Sequence, residues 1–200
     1  MNQQLLLIFT KNPELGKVKT RLAKTIGDQK ALEVYQYLLG YTRDITLDLP
    51  NTDKAVFYSK FIDAADLWEA TNYQKQVQQG EGLGERMSNA FAWGFDQKYQ
   101  SIIIVGSDCI EITQAIITEA FQALQTQDFV IGPAKDGGYY LLGMNAFYPQ
   151  VFENKTWSTA SVFPDTIQDL KAKSNKIHYL PQLSDVDTEK DLASFPVKFV

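Results

Sequence analysis

The stretch LLLIFTKNPELGKVKTRL, residues 5–22, decides the fold class. Its first five residues, Leu5 to Phe9, form a short continuous apolar run, the pattern of a strand buried on both faces of a parallel sheet. A polar, cationic loop with Pro13 and Gly16 follows. Lys54–Ser59 and Ser101–Val105 repeat the apolar pattern, and Asp128–Ile131 does so more weakly. Helical patterns lie between these runs. Leu83, Met87, Ala90, Phe91 and Gly94 recur at helical spacing, as do Ile116, Ile117, Ala120, Phe121 and Leu124 after Thr113, an expected N-cap. Ala31–Leu49 is a further helical stretch. Strands alternating with helices predict an α/β fold, a three-layer sandwich around a mostly parallel sheet.

The C-terminal third changes the rhythm. Tyr139–Leu142 reads as a strand too close behind Phe129–Ile131 for a helical crossover, so the two are not expected to be parallel neighbours and the sheet is expected to be mixed. Pro164 suits the first turn of a helix over Asp165–Lys173, and Lys176–Leu180 reads as a late edge strand. No repeat or long linker interrupts residues 1–200, which are expected to form one domain.

Composition narrows the function classes. Hydrophobic residues at 44% and charged residues at 22% are globular values. With 19 basic against 24 acidic residues the net charge is −5, which disfavours nucleic-acid binding through the overall field. One cysteine, Cys109, and one histidine, His178, cannot build a disulfide or a Cys/His zinc cage. Leu5–Phe9 is too short for a signal-peptide core or a membrane span, so a cytoplasmic protein without membrane insertion is expected. Charge is nevertheless uneven. Lys11, Lys17, Lys19, Arg21 and Lys24 face one acid, Glu14, giving this segment +4 and the remainder −9. A cationic loop on an acidic chain suits a small, multiply charged anion better than a polyanion.

In a doubly wound sheet, ligands gather on the loops at the carboxyl ends of strands. Three unusual loops are expected there: KNPELGKVKTRL (residues 11–22), GSDCIEIT (106–113) and GPAKDGG (132–138). In the first, a tight turn at Pro13 and Gly16 leads to Lys17, Lys19 and Arg21 at a helix start, suited to phosphate. It is not a P-loop, because Val18 follows Lys17 and no glycine stands five residues before Gly16. A plain surface turn is the alternative. Asp108 after its strand suits Mg²⁺ or Mn²⁺, hard cations that bridge phosphates, or else caps the next helix. Ser107 lacks the G-x-S-x-G elbow of a hydrolase.

Asp136-Gly137-Gly138 is either a simple turn or a place where main chain approaches a ligand while Asp136 holds or deprotonates a hydroxyl. Asp185 and Asp187 are expected to point to opposite sides of an extended stretch, so that at most one faces a metal. Thr188 and Asp191 fit a capping box. Arg86 near a helix start opposes the helix dipole, a misfit that an adjacent anion would relieve. Trp157 suits a lid over a sugar or base, or a place in the core.

Taken in order, FTKNPELGKVKTRLA, GEGLGERM, GSDCIEIT, GPAKDGGYYLLGM, WST and DVDTEKDL resemble a bacterial family known as radical-SAM- or selenium-domain-associated glycosyltransferases, formerly a domain of unknown function (DUF2064). The matching pieces run from near the N-terminus to residue 192. That family is similar to the GT-A, nucleotide-diphospho-sugar transferase superfamily and, in layout, to the guanylyltransferases of cofactor synthesis. The resemblance implies that Lys11, Gly16, Lys19 and Arg21 cradle nucleotide phosphates, Lys19 and Arg21 foremost, with help from Gly82 and Arg86. It implies that Asp108 binds the metal with Asp187, preferred over Asp185, as second contact. The Asp136-Gly137-Gly138 turn would line the acceptor side, with Trp157 a further substrate-binding candidate. Lys19, Asp108 and Asp136 would then be the catalytic set. Where the family has proline soon after the metal aspartate, this chain has Cys109 and Ile110.

The leading expectation is a Mg²⁺- or Mn²⁺-dependent transferase using a nucleotide-diphospho-sugar, with small-molecule partners only. Nucleotidyl transfer from an NTP is the near alternative, and a nucleotide-binding protein without catalysis the third.

Overall fold

The apolar runs become strands with both faces covered. The computed structural model describes residues 3–194, so the ends of the expected 1–200 domain lie outside the described residues. In chain order it contains β1 (Gln4–Thr10), α1 (Thr20–Ile26), α2 (Asp28–Leu47), β2 (Thr52–Tyr58), β3 (Gln74–Val77), α3 (Leu83–Asp96), β4 (Ser101–Gly106), α4 (Gln114–Ala123), β5 (Phe129–Pro133), β6 (Tyr139–Met144), α5 (Val162–Lys173) and β7 (Ile177–Tyr179). Short 3-10 helices occupy Pro149–Phe152 and Glu189–Ser194.

The seven strands form one sheet in the order β3-β2-β1-β4-β6-β5-β7. All pairings are parallel except those of β6, which runs antiparallel to both β4 and β5. The mixed, mostly parallel α/β/α sandwich expected from the sequence is therefore present. Alternation within each strand divides the core. Leu6, Ile8, Val56, Ile103, Val105 and Val130 pack with Tyr35 and Leu39 of α2 and with Ile117 and Phe121 of α4. Leu5, Leu7, Phe57, Ile102, Ile104 and Ile131 pack on the other face with Met87 and Phe91 of α3 and Leu170 of α5.

Several boundaries differ from expectation. The helix placed over Ala31–Leu49 begins at Asp28, and a separate α1 precedes it because Gly27, at φ +85°, breaks the helical path. Pro164 is the third residue of α5, which starts at Val162. Proline is tolerated there because the first N–H groups of a helix have no partner within it. β3 carries no apolar pattern and forms only as an edge beside β2. Thr113 caps α4, its side chain accepting from the Ile116 N–H at 3.3 Å.

A third, small cluster positions the site. Leu22 of α1, Val34 and Leu38 of α2, Ile110 and Val186 pack together. These residues flank the cationic loop, Asp108 and the Asp185/Asp187 pair, so one apolar knot fixes three chain segments relative to one another. Ile110 holds the loop after Asp108 by packing in this cluster. The Val186 N–H donates to the Asp108 carbonyl at 3.0 Å and completes the joint.

Candidate active site

The first loop is held at both ends. Asn12 is buried, and its side chain donates to the Phe61 carbonyl at 2.9 Å while accepting from the Lys60 N–H at 3.0 Å. Glu14 pairs with Lys60 at 2.6 Å. At the strand end, the Lys11 N–H donates to the Tyr35 hydroxyl at 2.8 Å, and that hydroxyl lies 3.3 Å from the Ser107 hydroxyl. Tyr35 thus ties the carboxyl end of β1 to that of β4. Burial, and then the charge of Asp108, push its pKa up to about 12.

The loop ends at Lys19, which adopts left-handed backbone geometry (φ 47°, ψ 42°). For a residue with a Cβ this costs on the order of 1–3 kcal/mol and persists only where surroundings impose it. Buried Val18 on one side and Leu22 on the other impose it here. The consequence is that Lys19 turns inward, its side chain only 3% exposed. Its Nζ stands 3.1 Å from Asp108 Oδ2 and 3.6 Å from Asp187 Oδ1. Arg21 approaches Asp187 from outside at 3.3 Å.

Asp185 and Asp187 do not diverge, contrary to expectation. Both line the same cavity, and Val186 between them is buried. Side chains two residues apart on an extended chain share a side, and only the intervening one turns away. Three carboxylates are thereby brought near one another. Burial, then the charges of Asp108 and Asp136, raise the Asp185 pKa from 3.8 to about 7.

This shift makes a prediction. Between roughly pH 4 and pH 7 the folded chain retains a proton on Asp185 that the unfolded chain has released. The stability contributed by that group is full below pH 4 and is lost as the pH rises through 7. Chemical denaturation in the presence of a chelator should find the protein less stable at pH 8 than at pH 5, and Asp185→Asn should flatten the difference. An unchanged slope in the variant would contradict the burial of this carboxyl.

Lys11, Lys19, Arg21, Asp108, Asp136, Gly138, Trp157 and Asp187 share one cavity of about 520 Å³. Asp136 is exposed at its rim, and its Oδ1 accepts from the Gly138 N–H at 2.9 Å, so the simple-turn geometry and a place on the cavity coexist. Gly137 does not line the cavity. At φ +93° a Cβ there would fall 2.4 Å from the Ala160 Cα, and its carbonyl accepts from the Phe163 N–H at 2.8 Å. Gly137 therefore seats the 157–161 loop. Trp157 is half-buried against Gly84 and edge-on to Tyr139, with centroids 6.5 Å apart, so it serves the core and the cavity wall together.

Gly16 and Gly82 do not line the cavity: Gly16 lies in the turn at φ +70° and Gly82 is the N-cap of α3. Arg86 lines an adjoining cavity of about 540 Å³ that shares Lys11, Tyr35, Asp108 and Asp185 with the first, and its Nε donates to the Gly80 carbonyl at 2.9 Å. Asp191 accepts from Thr188 N–H at 2.7 Å, as its capping role requires.

The donor set fits a hard cation. Asp108, Asp185 and Asp187 offer oxygen only, the chemistry of Mg²⁺ and Mn²⁺. Among the described residues no group of three or more His, Cys, Asp or Glu forms a ready cage. Mg²⁺ ordinarily takes one or two carboxylates, with water and substrate phosphate completing its shell, and two of these carboxylates already share a cation in Lys19.

Sequence reasoning missed Tyr35, Tyr139 and Ser158 as cavity residues. Tyr35 lies among helical core residues, where nothing local distinguishes its hydroxyl. Ser158 carries only a weak signal, its place between Trp157 and Thr159; its left-handed φ of +66° is visible in the structure alone.

Residues 42–159 match the family described as "Uncharacterized protein conserved in bacteria (DUF2064)". Among solved structures, a candidate nucleotide-diphospho-sugar transferase from Desulfovibrio desulfuricans G20 is 35% identical, with a TM-score of 0.89 over 96% of this chain and 85% of that chain. Glucosyl-3-phosphoglycerate synthase from Mycobacterium tuberculosis, solved with Mn²⁺, UDP-glucose and phosphoglyceric acid, is 10% identical, with a TM-score of 0.58 over 92% and 71% of the two chains. A cytidylyltransferase from Leptospira borgpetersenii serovar Hardjo-bovis is 12% identical, with a TM-score of 0.57 over 100% and 90%. These last two share the fold. No curated protein matches the chain. No helix among the described residues is long and apolar enough to cross a membrane.

Proposed function

Because the chain belongs to this bacterial family, DUF2064, and carries the nucleotide-diphospho-sugar transferase fold, we propose that residues 1–200 act as one metal-dependent transferase domain drawing on a nucleotide-diphospho-sugar donor. The observation that carries the reading is the buried Lys19 ammonium set between Asp108 and Asp187, in a cavity that also receives Lys11 and Arg21. Cations and carboxylates converging at the carboxyl ends of parallel strands suit a metal-bridged diphosphate.

Asp108 and Asp187 would hold Mg²⁺ or Mn²⁺, which supplies positive charge to the phosphate oxygens of the donor. Lys19, Lys11 and Arg21 neutralise the charge that develops on the departing nucleoside diphosphate, the principal electrostatic demand of the reaction. The acceptor oxygen forms a bond to the anomeric carbon as that carbon's bond to the β-phosphate oxygen breaks. Asp136 orients the acceptor hydroxyl and takes its proton. Gly138 and Trp157 form the wall on that side, with Trp157 offering an aromatic face to a sugar. Low-molecular-weight partners, with no nucleic acid and no membrane insertion, accord with the net charge of −5 and with a cavity that sets lysines and Arg21 among carboxylates.

Nucleotidyl transfer would use the same loop and metal but release pyrophosphate. Incubating the protein with Mn²⁺ and panels of nucleotide sugars and NTPs separates the readings. Nucleoside diphosphate release that stops on chelation is expected. Pyrophosphate release would select the nucleotidyl reaction. Tight nucleotide binding without turnover or metal dependence would leave a binding protein.

A further inference from the structure

The cations proposed to meet phosphate and the carboxylates proposed to meet metal are already paired with each other. Lys19 Nζ lies 3.1 Å from Asp108 and 3.6 Å from Asp187, and Arg21 lies 3.3 Å from Asp187. We infer that Lys19 is an internal stand-in for the divalent cation, and that metal and diphosphate enter the site as an ion exchange. The metal takes the carboxylates, and the diphosphate takes the released ammonium and guanidinium. This inference rests on the proposed function and adds the order and coupling of ligand entry to it.

Three observations support the exchange. First, Lys19 Nζ is fully buried yet has no hydrogen bond of proper alignment, although Asp108 is within reach. The ammonium is held by charge alone, at a place where it has donors to spare. Second, the backbone of Lys19 is pinned in left-handed geometry between Val18 and Leu22, so the movement falls to its flexible four-carbon stem. Third, the carboxylates are open to solvent and the ammonium is not. Asp108 is 41% exposed and faces the cavity while its partner ammonium is 3% exposed, so a cation arriving from solvent meets the carboxylate first.

Neither ligand enters favourably alone. Metal alone would strand a buried ammonium beside a divalent cation, and an unpaired buried charge is strongly disfavoured. Diphosphate alone would leave the acids facing phosphate oxygens of the same sign. Arrival together satisfies every charge, and the coupling is reciprocal by linkage. Arg21, 67% exposed, is screened by water and contributes less to the lock.

The test uses Mn²⁺ alone, titrated into the full chain and followed by electron paramagnetic resonance. Lys19→Met should bind Mn²⁺ roughly tenfold more tightly than the unaltered protein, within the usual range of coupling between sites. Arg21→Met should give a smaller gain. Adding Asp108→Asn to Lys19→Met should abolish the gain, because the freed carboxylate is its source. Lys19→Gly, which relieves the left-handed backbone, should repeat the gain, and melting curves establish that each variant is folded. A structural role for Lys19 would not raise metal affinity. Equal or weaker Mn²⁺ binding by both Lys19 variants overturns the exchange and leaves the transferase reading standing. Absence of Mn²⁺ binding in every variant overturns the exchange together with the metal dependence of the proposed function.

Discussion

Asp108→Asn is expected to reduce turnover on the order of a thousandfold, the scale seen when a preorganised charge-stabilising group is removed from an active site, while moving the melting temperature by only a few degrees. Asparagine keeps an oxygen near Lys19 Nζ and removes the negative charge that would hold the metal. The stability loss is limited to one of the two charges beside the buried Lys19 ammonium. Asp108 caps no helix, since α4 is capped by Thr113. The joint to Val186 runs through the Asp108 carbonyl rather than its side chain. Asp187 also remains beside Lys19. The measurement is nucleoside diphosphate release with Mn²⁺, paired with thermal melts of both proteins. A variant that keeps its rate would remove Asp108 from the chemistry. One that unfolds would give the residue a structural role instead.

The second large effect belongs to a residue without a side chain. A Cβ on Gly84 would lie 2.5 Å from the Phe152 carbonyl oxygen and 2.5 Å from the Trp157 Nε1. Gly84→Ala should destabilise the fold by about 1–3 kcal/mol, the usual cost of overpacking. In a domain of this size that is a fall in melting temperature of roughly 2–12 °C. The backbone contact cannot yield without shifting α3, whereas the indole can move, so Trp157 should be displaced into the cavity. Two readouts follow. Nucleotide-sugar affinity should fall along with stability, and Trp157→Ala placed in the Gly84→Ala background should recover part of the stability but none of the affinity. Full recovery would mean that the Phe152 carbonyl is not a barrier. No loss at all would mean that α3 and the 157–161 loop part readily to admit the methyl group.

The two residues differ in how far the sequence disclosed them. Asp108 stands one residue beyond Ser107 at the end of an unmistakable buried strand, so its position on the ligand rim follows from local pattern. Gly84 reads as one glycine among three in GEGLGERM. Its importance arises because Trp157 and Phe152, about seventy residues later in the chain, come to rest on it. Ile110 and Val186 are similar. Each is an ordinary apolar residue in its own segment, and their contact fixes the distance between Asp108 and Asp187.

By itself the sequence determined the β1, β2, β4, β5, β6 and β7 strands, the helices α3, α4 and α5, the mixed sheet, and the gathering of a lysine-rich loop and Asp108 on one rim. Hydrophobic period, caps and turn residues act over a few positions, and those are the features they encode. Tertiary structure alone decided that QKQV joins the sheet as β3 and that the Asp185–Asp187 stretch meets Asp108 across one cavity. It alone turned Lys19 inward between two carboxylates. Each of these depends on groups distant in sequence supplying a ladder partner, an apolar seat or an opposite charge, and such partners come into being only when the chain has folded.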